Sequence, residues 1–312
     1  MIRFLFGRLV AAVAVLIGVT SLVFGLLHLG GDPLAALVPP GSSAAQQAAL
    51  RHGFGLDRPL SEQYLRFVAH ATGGDFGQSW RQRRPALDAV IERLPATLLL
   101  TAAAMALAIV VGGGLGIAAG MRPGSGVDGV ARGLALLGQA LPGFWLGTLL
   151  ILIFAVRLRW LPSSGWDGPA SLVLPAVTLA AYPAATIARL LRAGLVETMA
   201  ADYVRTARGK GLGTGPVVWR HALRNAVLPA LAYVGLQAGF LLGGAVVTEA
   251  VFAYPGIGQL ALGAAADRDL PVVQAFVVVV ATLIVGINLV VDTVARWLDP
   301  RLASSSSQSG WR

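Results

Sequence analysis

Residues able to do chemistry are few and dispersed in this chain. The four histidines, His28, His52, His70 and His221, show no metal-ligand spacing, and cysteine is absent. No paired carboxylates fall on the face of an apolar helix, so the constellation an enzyme needs is missing. Gly124-Ser125-Gly126-Val127-Asp128-Gly129 fits the dinucleotide fingerprint letter for letter, but it follows an apolar run where the fingerprint requires a strand. Gly209-Lys210 is followed by Gly211, where a phosphate loop needs Ser or Thr. The expectation is a chain with no catalytic residue, no metal and no cofactor of its own.

Two other groups of residues carry information. The first is the basic segment 189–229. Val196, Met199, Ala200, Tyr203, Val204 and Ala207 follow helical spacing there, while Glu197, Asp202, Arg205 and Arg208 take the other face, which predicts one amphipathic helix. The run GKGLGTG cannot continue it, and Pro216 is placed to open a second helix. Helix, glycine turn, helix is either a docking element or a basic connector held at a lipid surface. The second group is the polar side chains inside apolar runs. Gln139, just before a kink at Pro142, and Gln237 are candidates for lining a solute path, with interhelical hydrogen bonding as the alternative. Asn288 and the pair Asp292 and Arg296 read as structural.

These residues must be positioned by membrane helices. With 56% hydrophobic and 12% charged residues over 312 positions, a soluble globule could not cover its surface. A hydrocarbon core of about 30 Å takes roughly 20 apolar residues, and six stretches qualify: residues 9–29, 95–120, 130–156, 172–191, 226–247 and 272–294. The first, preceded by Arg3 and Arg8, is longer than a signal core and reads as a retained anchor. Residues 30–93 read as an external cap of short helices and turns, 94–300 as a core of five helices, and 301–312 as a low-complexity, disordered tail. The net charge of +9 is scattered at span ends, which argues against nucleic acid. With the N-terminus inside, fourteen Arg and Lys lie in cytoplasmic segments, against Arg157, Arg159 and Arg268 in short external loops. Both termini are therefore expected to be cytoplasmic, with the 189–229 segment between the fourth and fifth spans. Gly112, Gly116 and Gly120, and Gly235, Gly239 and Gly243, recur every four residues, a spacing that lets helix backbones approach closely in lipid; pore lining is the alternative.

DYVRTARGKGL (202–212) followed by RHALRNAVLP (220–229) resembles the cytoplasmic loop of permease subunits from ATP-binding-cassette importers of the dipeptide, oligopeptide and nickel family. Where that loop's general form has Glu-Ala-Ala, Gly and Leu-Pro, this chain has Arg205-Thr206-Ala207, Gly211 and Leu228-Pro229. GVTSLVFGLLHLGGDP, GLDRPLSEQYLRF, GDFGQSW, ERLPATLLL, LPGFWLG, EAVFAYPGIGQL, DRDLPVVQAF and NLVVDTVARWLDPRL are similar to that family in order along nearly the whole chain. The resemblance is to the first of two paired permeases of the bacterial inner membrane.

It implies an all-α integral membrane protein with six transmembrane helices, an external cap after the first and a cytoplasmic coupling helix–turn–helix between the fourth and fifth, at about residues 193–225. It also implies partners: a second homologous permease, two cytoplasmic ATPase domains that bind ATP and Mg, and an extracytoplasmic solute-binding protein. The coupling residues so implied are Asp202, Arg205, Ala207, Gly209, Lys210, Gly211, Leu212, Gly213 and Thr214, with 210–214 inserted into the ATPase. Import of di- and oligopeptides is the first expectation, and nickel or glutathione-type solutes are alternatives. An ion-coupled secondary transporter would need intramembrane carboxylates or broken helices in repeated halves, and a membrane scaffold would transport nothing.

Overall fold

The structure is a computed structural model that describes residues 2–29, 38, 43–53 and 57–298. The GDP at 31–33, residues 54–56, the 301–312 tail and the side chains of Asp292 and Arg296 lie outside the described residues. Helices dominate: α1 (Ile2–Leu29), α2 (Ala44–Gly53), α3 (Leu60–Thr72), α4 (Ala86–Met121), α5 (Gly126–Ala140), α6 (Gly143–Leu150, continued by a π-helical segment Ile151–Arg157), α7 (Ala170–Met199), α8 (Asp202–Gly209), α9 (Thr214–Val217, continued by a π-helical segment Val218–Ala222), α10 (Leu223–Ala226), α11 (Leu228–Val251), α12 (Ile257–Ala266) and α13 (Leu270–Leu298). Among the described residues there is no strand, only an isolated bridge between Gln78 and Pro85.

Among the described residues, four helices are long and apolar enough to cross a membrane: α4, α7, α11 and the Leu270–Val291 part of α13. Helix α1 holds a shorter apolar stretch, Val10–Gly25. The expected third span at 130–156 is corrected, because it is not one helix. Helices α5 and α6 meet at 108°, so they make a span only as a bent pair. Proline disfavours helical backbone in the residue before it, and both Leu141 (φ −79°, ψ 127°) and Pro142 (φ −60°, ψ 135°) are extended. The second span departs in the other direction. Helix α4 starts at Ala86 and runs through Pro95, the residue expected to begin it.

The chain divides into two compact units. One comprises the described residues of 1–97 and 255–286. Its core gathers Phe76, Ala86, Ala89 and Val90 with Ile257, Leu260, Ala264, Val272 and Ala275. Helix α1 is tied to α3 by the Ser21 and Tyr64 hydroxyls, 2.6 Å apart, and by Phe24 against Tyr64 and Phe67. The GDFGQSW and DRDLPVVQAF segments, 190 residues apart in the chain, meet at Asp269. This buried carboxylate accepts the Ser79 hydroxyl and the amides of Trp80 (3.1 Å) and Arg81 (3.2 Å).

The other unit comprises residues 98–254 and the described residues from 287 on, and it is built around α7, whose inward face from Leu174 to Leu195 is largely buried. Glycine makes that packing close. A Cβ on Gly112 would lie 2.4 Å from the Ala184 carbonyl oxygen, one on Gly116 2.7 Å from that of Ala188, and one on Gly120 2.9 Å from the Leu195 Cβ. The stripe on α11 splits. A Cβ on Gly235 would press on Val291 at 2.6 Å, whereas Gly243 has nothing within 4 Å. The fingerprint-like GSGVDG is a helix cap: Ser125 accepts the Asp128 amide, and Asp128, wholly buried, accepts the Gly124 amide at 2.9 Å and pairs with Arg192 of α7.

Candidate functional site

The single helix expected over 196–207 is corrected to two. Helix α7 ends at Met199, Ala201 is extended (φ −69°, ψ 149°), and α8 starts at Asp202. This break reorients the apolar face. Val204 and Ala207 of α8 pack with Val217 of α9 against Met199. Leu195 of α7 packs with Val218, Ala222 and Ala226 against the same methionine. Gly194 seals the arrangement, since a Cβ there would stand 2.7 Å from the Ala226 carbonyl oxygen. The Asn225 amide also donates to the Tyr203 hydroxyl at 3.0 Å.

Between α8 and α9 the chain reverses in a turn. The Lys210 amide donates to Thr206 O, the Gly211 amide to Arg208 O and the Leu212 amide to Ala207 O. Gly211 has φ +84°, a left-handed conformation that glycine enters without steric cost. Gly213 is the N-cap of α9, and Pro216 sits in the first turn, where its missing N–H removes no hydrogen bond. Of the nine coupling residues predicted, Ala207 is buried and braces α8. Asp202, Arg205, Gly209, Lys210, Gly211, Leu212, Gly213 and Thr214 are exposed on one projecting element. Asp202 and Arg205 face each other at 3.5 Å, both solvent-exposed, so their attraction is worth little.

The two path candidates behave differently. The Gln139 amide donates to the Thr186 hydroxyl at 3.2 Å and accepts from Arg189 Nη1 at 3.2 Å. Gln139 and Arg189 also line a cleft of about 420 Å³ that contains Arg132 and Arg192. Gln237 is half-buried on α11, on the same face as Tyr233 one turn earlier, and makes no side-chain hydrogen bond among the described residues. Sequence reasoning missed Asp128, Arg192 and Asp269. A charged residue beside a turn gives no sign of its partner when that partner is 64 or 190 residues away.

An assembly of long apolar helices, with a short helical element projecting from the end of α7, is the architecture of a multi-pass membrane protein. The chain belongs to the family of binding-protein-dependent transport system inner membrane components, whose profile matches residues 112–304, with the N-terminal component of such systems matching residues 1–101. It is thus a permease subunit of the ATP-binding-cassette importer class, located in the inner membrane. It is 40% identical over 303 residues to the glutathione transport system permease protein GsiC of Salmonella paratyphi A, covering 97% of this chain and 99% of that one. Identity to the Escherichia coli (strain K12) protein of the same name is 39% over the same length. Among solved structures the fold is similar to the MetNI methionine ABC transporter in inward-facing conformations (TM-score 0.54, 21% identity, 66% of this chain and 94% of that chain). It is also similar to an amino acid ABC transporter with histidines (TM-score 0.51, 17% identity, 68% and 92%).

Proposed function

We propose that the chain forms half of a solute pathway with a second, homologous permease, and that it imports small peptides delivered by an extracytoplasmic binding protein. Glutathione-type tripeptides are favoured within that class, because the relatives named as glutathione permeases match end to end. Six crossings with both termini cytoplasmic follow if α1 and the bent α5–α6 pair each cross once, with α2 and α3 in an external cap. The segment at 193–225 is then cytoplasmic, and the turn at 210–214 seats in one of two ATPase domains. ATP and Mg act there, and this chain contributes no catalytic group.

The observation that carries the coupling role is the brace around Met199. Two apolar clusters fix α8, α9 and α10 to the end of α7, so a displacement of the turn is passed to α7 instead of being absorbed. Leu212, 39% exposed beside Lys210, is the apolar tip of that turn. The Leu212→Asp change is expected to weaken co-purification of the ATPase by about tenfold or more. Uptake of glutathione by proteoliposomes holding the full complex should need ATP and the ATPase subunits; uptake that persists without them refutes the assignment.

A further inference from the structure

Around Thr186 of α7 the hydrogen-bond donors outnumber the acceptors. Gln139 uses its carbonyl on Arg189 and its amide nitrogen on Thr186, and Thr186 passes its own proton to the Tyr182 carbonyl oxygen. The Tyr233 hydroxyl, on α11, is buried with Thr186 as its hydroxyl neighbour and Arg189 nearby, and it reaches no partner at full hydrogen-bond geometry. Arg189 has five N–H groups and donates one, to a neutral amide. Its neighbours in the same cleft are satisfied differently: Arg192 holds Asp128 through two hydrogen bonds, and Arg132 reaches the same carboxylate at 3.6 Å. No carboxylate among the described residues pairs with Arg189.

Arg189 lies ten residues before the end of α7 at Met199, about 15 Å along the helix axis. Arg189 is exposed toward the cleft and has no carboxylate partner among the described residues, so most of its donors face a ligand instead of a protein acceptor. The buried Tyr233 hydroxyl, whose neighbour Thr186 is already engaged by Gln139, is short of an acceptor as well. One ligand class serves both, an acceptor bearing negative charge. Three elements, α5, α7 and α11, converge here, and Gln237 lies one turn beyond Tyr233 on α11.

We propose that Arg189, oriented by Gln139 and joined by the Tyr233 hydroxyl, is a specificity-determining residue that binds the carboxylate of the solute as it crosses. This rests on the peptide-import reading. A guanidinium takes a carboxylate in a planar, two-pronged fashion that an ammonium cannot reproduce. Loss of Arg189 should therefore cost solutes with a free carboxylate selectively.

The test uses the complete transporter, with its binding protein, in proteoliposomes. Glutathione and trialanine are each supplied as the free acid and as the C-terminal amide, and the acid-to-amide uptake ratio is compared between wild type and variant. The comparison cancels the preference of the binding protein, which is the same in both. Arg189→Gln should lower that ratio about tenfold or more, Arg189→Lys by less, and Tyr233→Phe by a few-fold. Tyr233→Phe keeps the ring and its packing, so it decides the matter if Arg189→Gln fails to assemble. Ratios unchanged in Arg189→Gln and Tyr233→Phe overturn the proposal and leave peptide import standing. An effect confined to vesicles rich in anionic lipid overturns it too, since the guanidinium would then be serving a lipid phosphate. Wild-type uptake of neither peptide overturns the import reading and this proposal with it.

Discussion

Replacing Gly112 by alanine tests whether α4 and α7 touch backbone to backbone. The added Cβ would lie 2.4 Å from the Ala184 carbonyl oxygen and 3.0 Å from its Cα. Ordinary contact requires about 1 Å more, so the helices must part or the backbone must bend. Overpacking of this kind costs about 1–3 kcal/mol. Against it stands the gain of about 0.5–1 kcal/mol when alanine replaces glycine inside a helix. Gly113 and Gly114 provide the internal control, because a Cβ on either meets nothing within 4 Å. Gly113→Ala should keep the propensity gain without the clash, which separates the two variants by about 1–3 kcal/mol. At about 2–4 °C per kcal/mol for a body of this size, the purified transporters should melt roughly 2–12 °C apart in detergent, with Gly112→Ala the lower. Coincident melting, or the reverse order, refutes close packing.

Gly116→Leu adds a larger group against Ala188 and Leu191 and should sharply reduce the yield of folded protein. Asp128→Asn leaves the Arg192 guanidinium without its carboxylate, so it should destabilise more than the double change Asp128→Asn/Arg192→Gln; a thermal-melt cycle showing additive effects would contradict the pairing. Ser79→Ala should cost about 1–3 kcal/mol through the hydrogen bond lost at Asp269, read as lower thermal stability with the fold retained. Cysteines placed singly at Gly213 and Asp75, in a chain with no other cysteine, should react with an impermeant thiol reagent from opposite sides of the membrane; labelling of both from outside overturns the orientation.

The local chemistry of the turn at 210–214 is legible in the sequence because its causes are local. A glycine at Gly211, a cap at Gly213 and Pro216 in a first turn act within a few residues of themselves. The break between Met199 and Asp202 escaped the same reading, since apolar periodicity continues smoothly through it. What ends α7 there is the demand of Val204 and Ala207 to face Val217, a contact made across the turn. Pro142 was readable as a kink, and the size of the bend was not.

By itself the sequence determined that the chain lives in lipid, that it is helical, and that its exposed basic element lies between two spans. Composition, the period of 3.6 and the lengths of apolar runs are one-dimensional properties, and the bilayer selects on them directly. The tertiary structure alone decided which polar groups are satisfied. Arg189 and Arg192 are three residues apart on one helix, indistinguishable as letters. One meets a buried carboxylate from 64 residues away and the other a neutral amide, because partners of buried charge are set by how helices pack and not by their order in the chain.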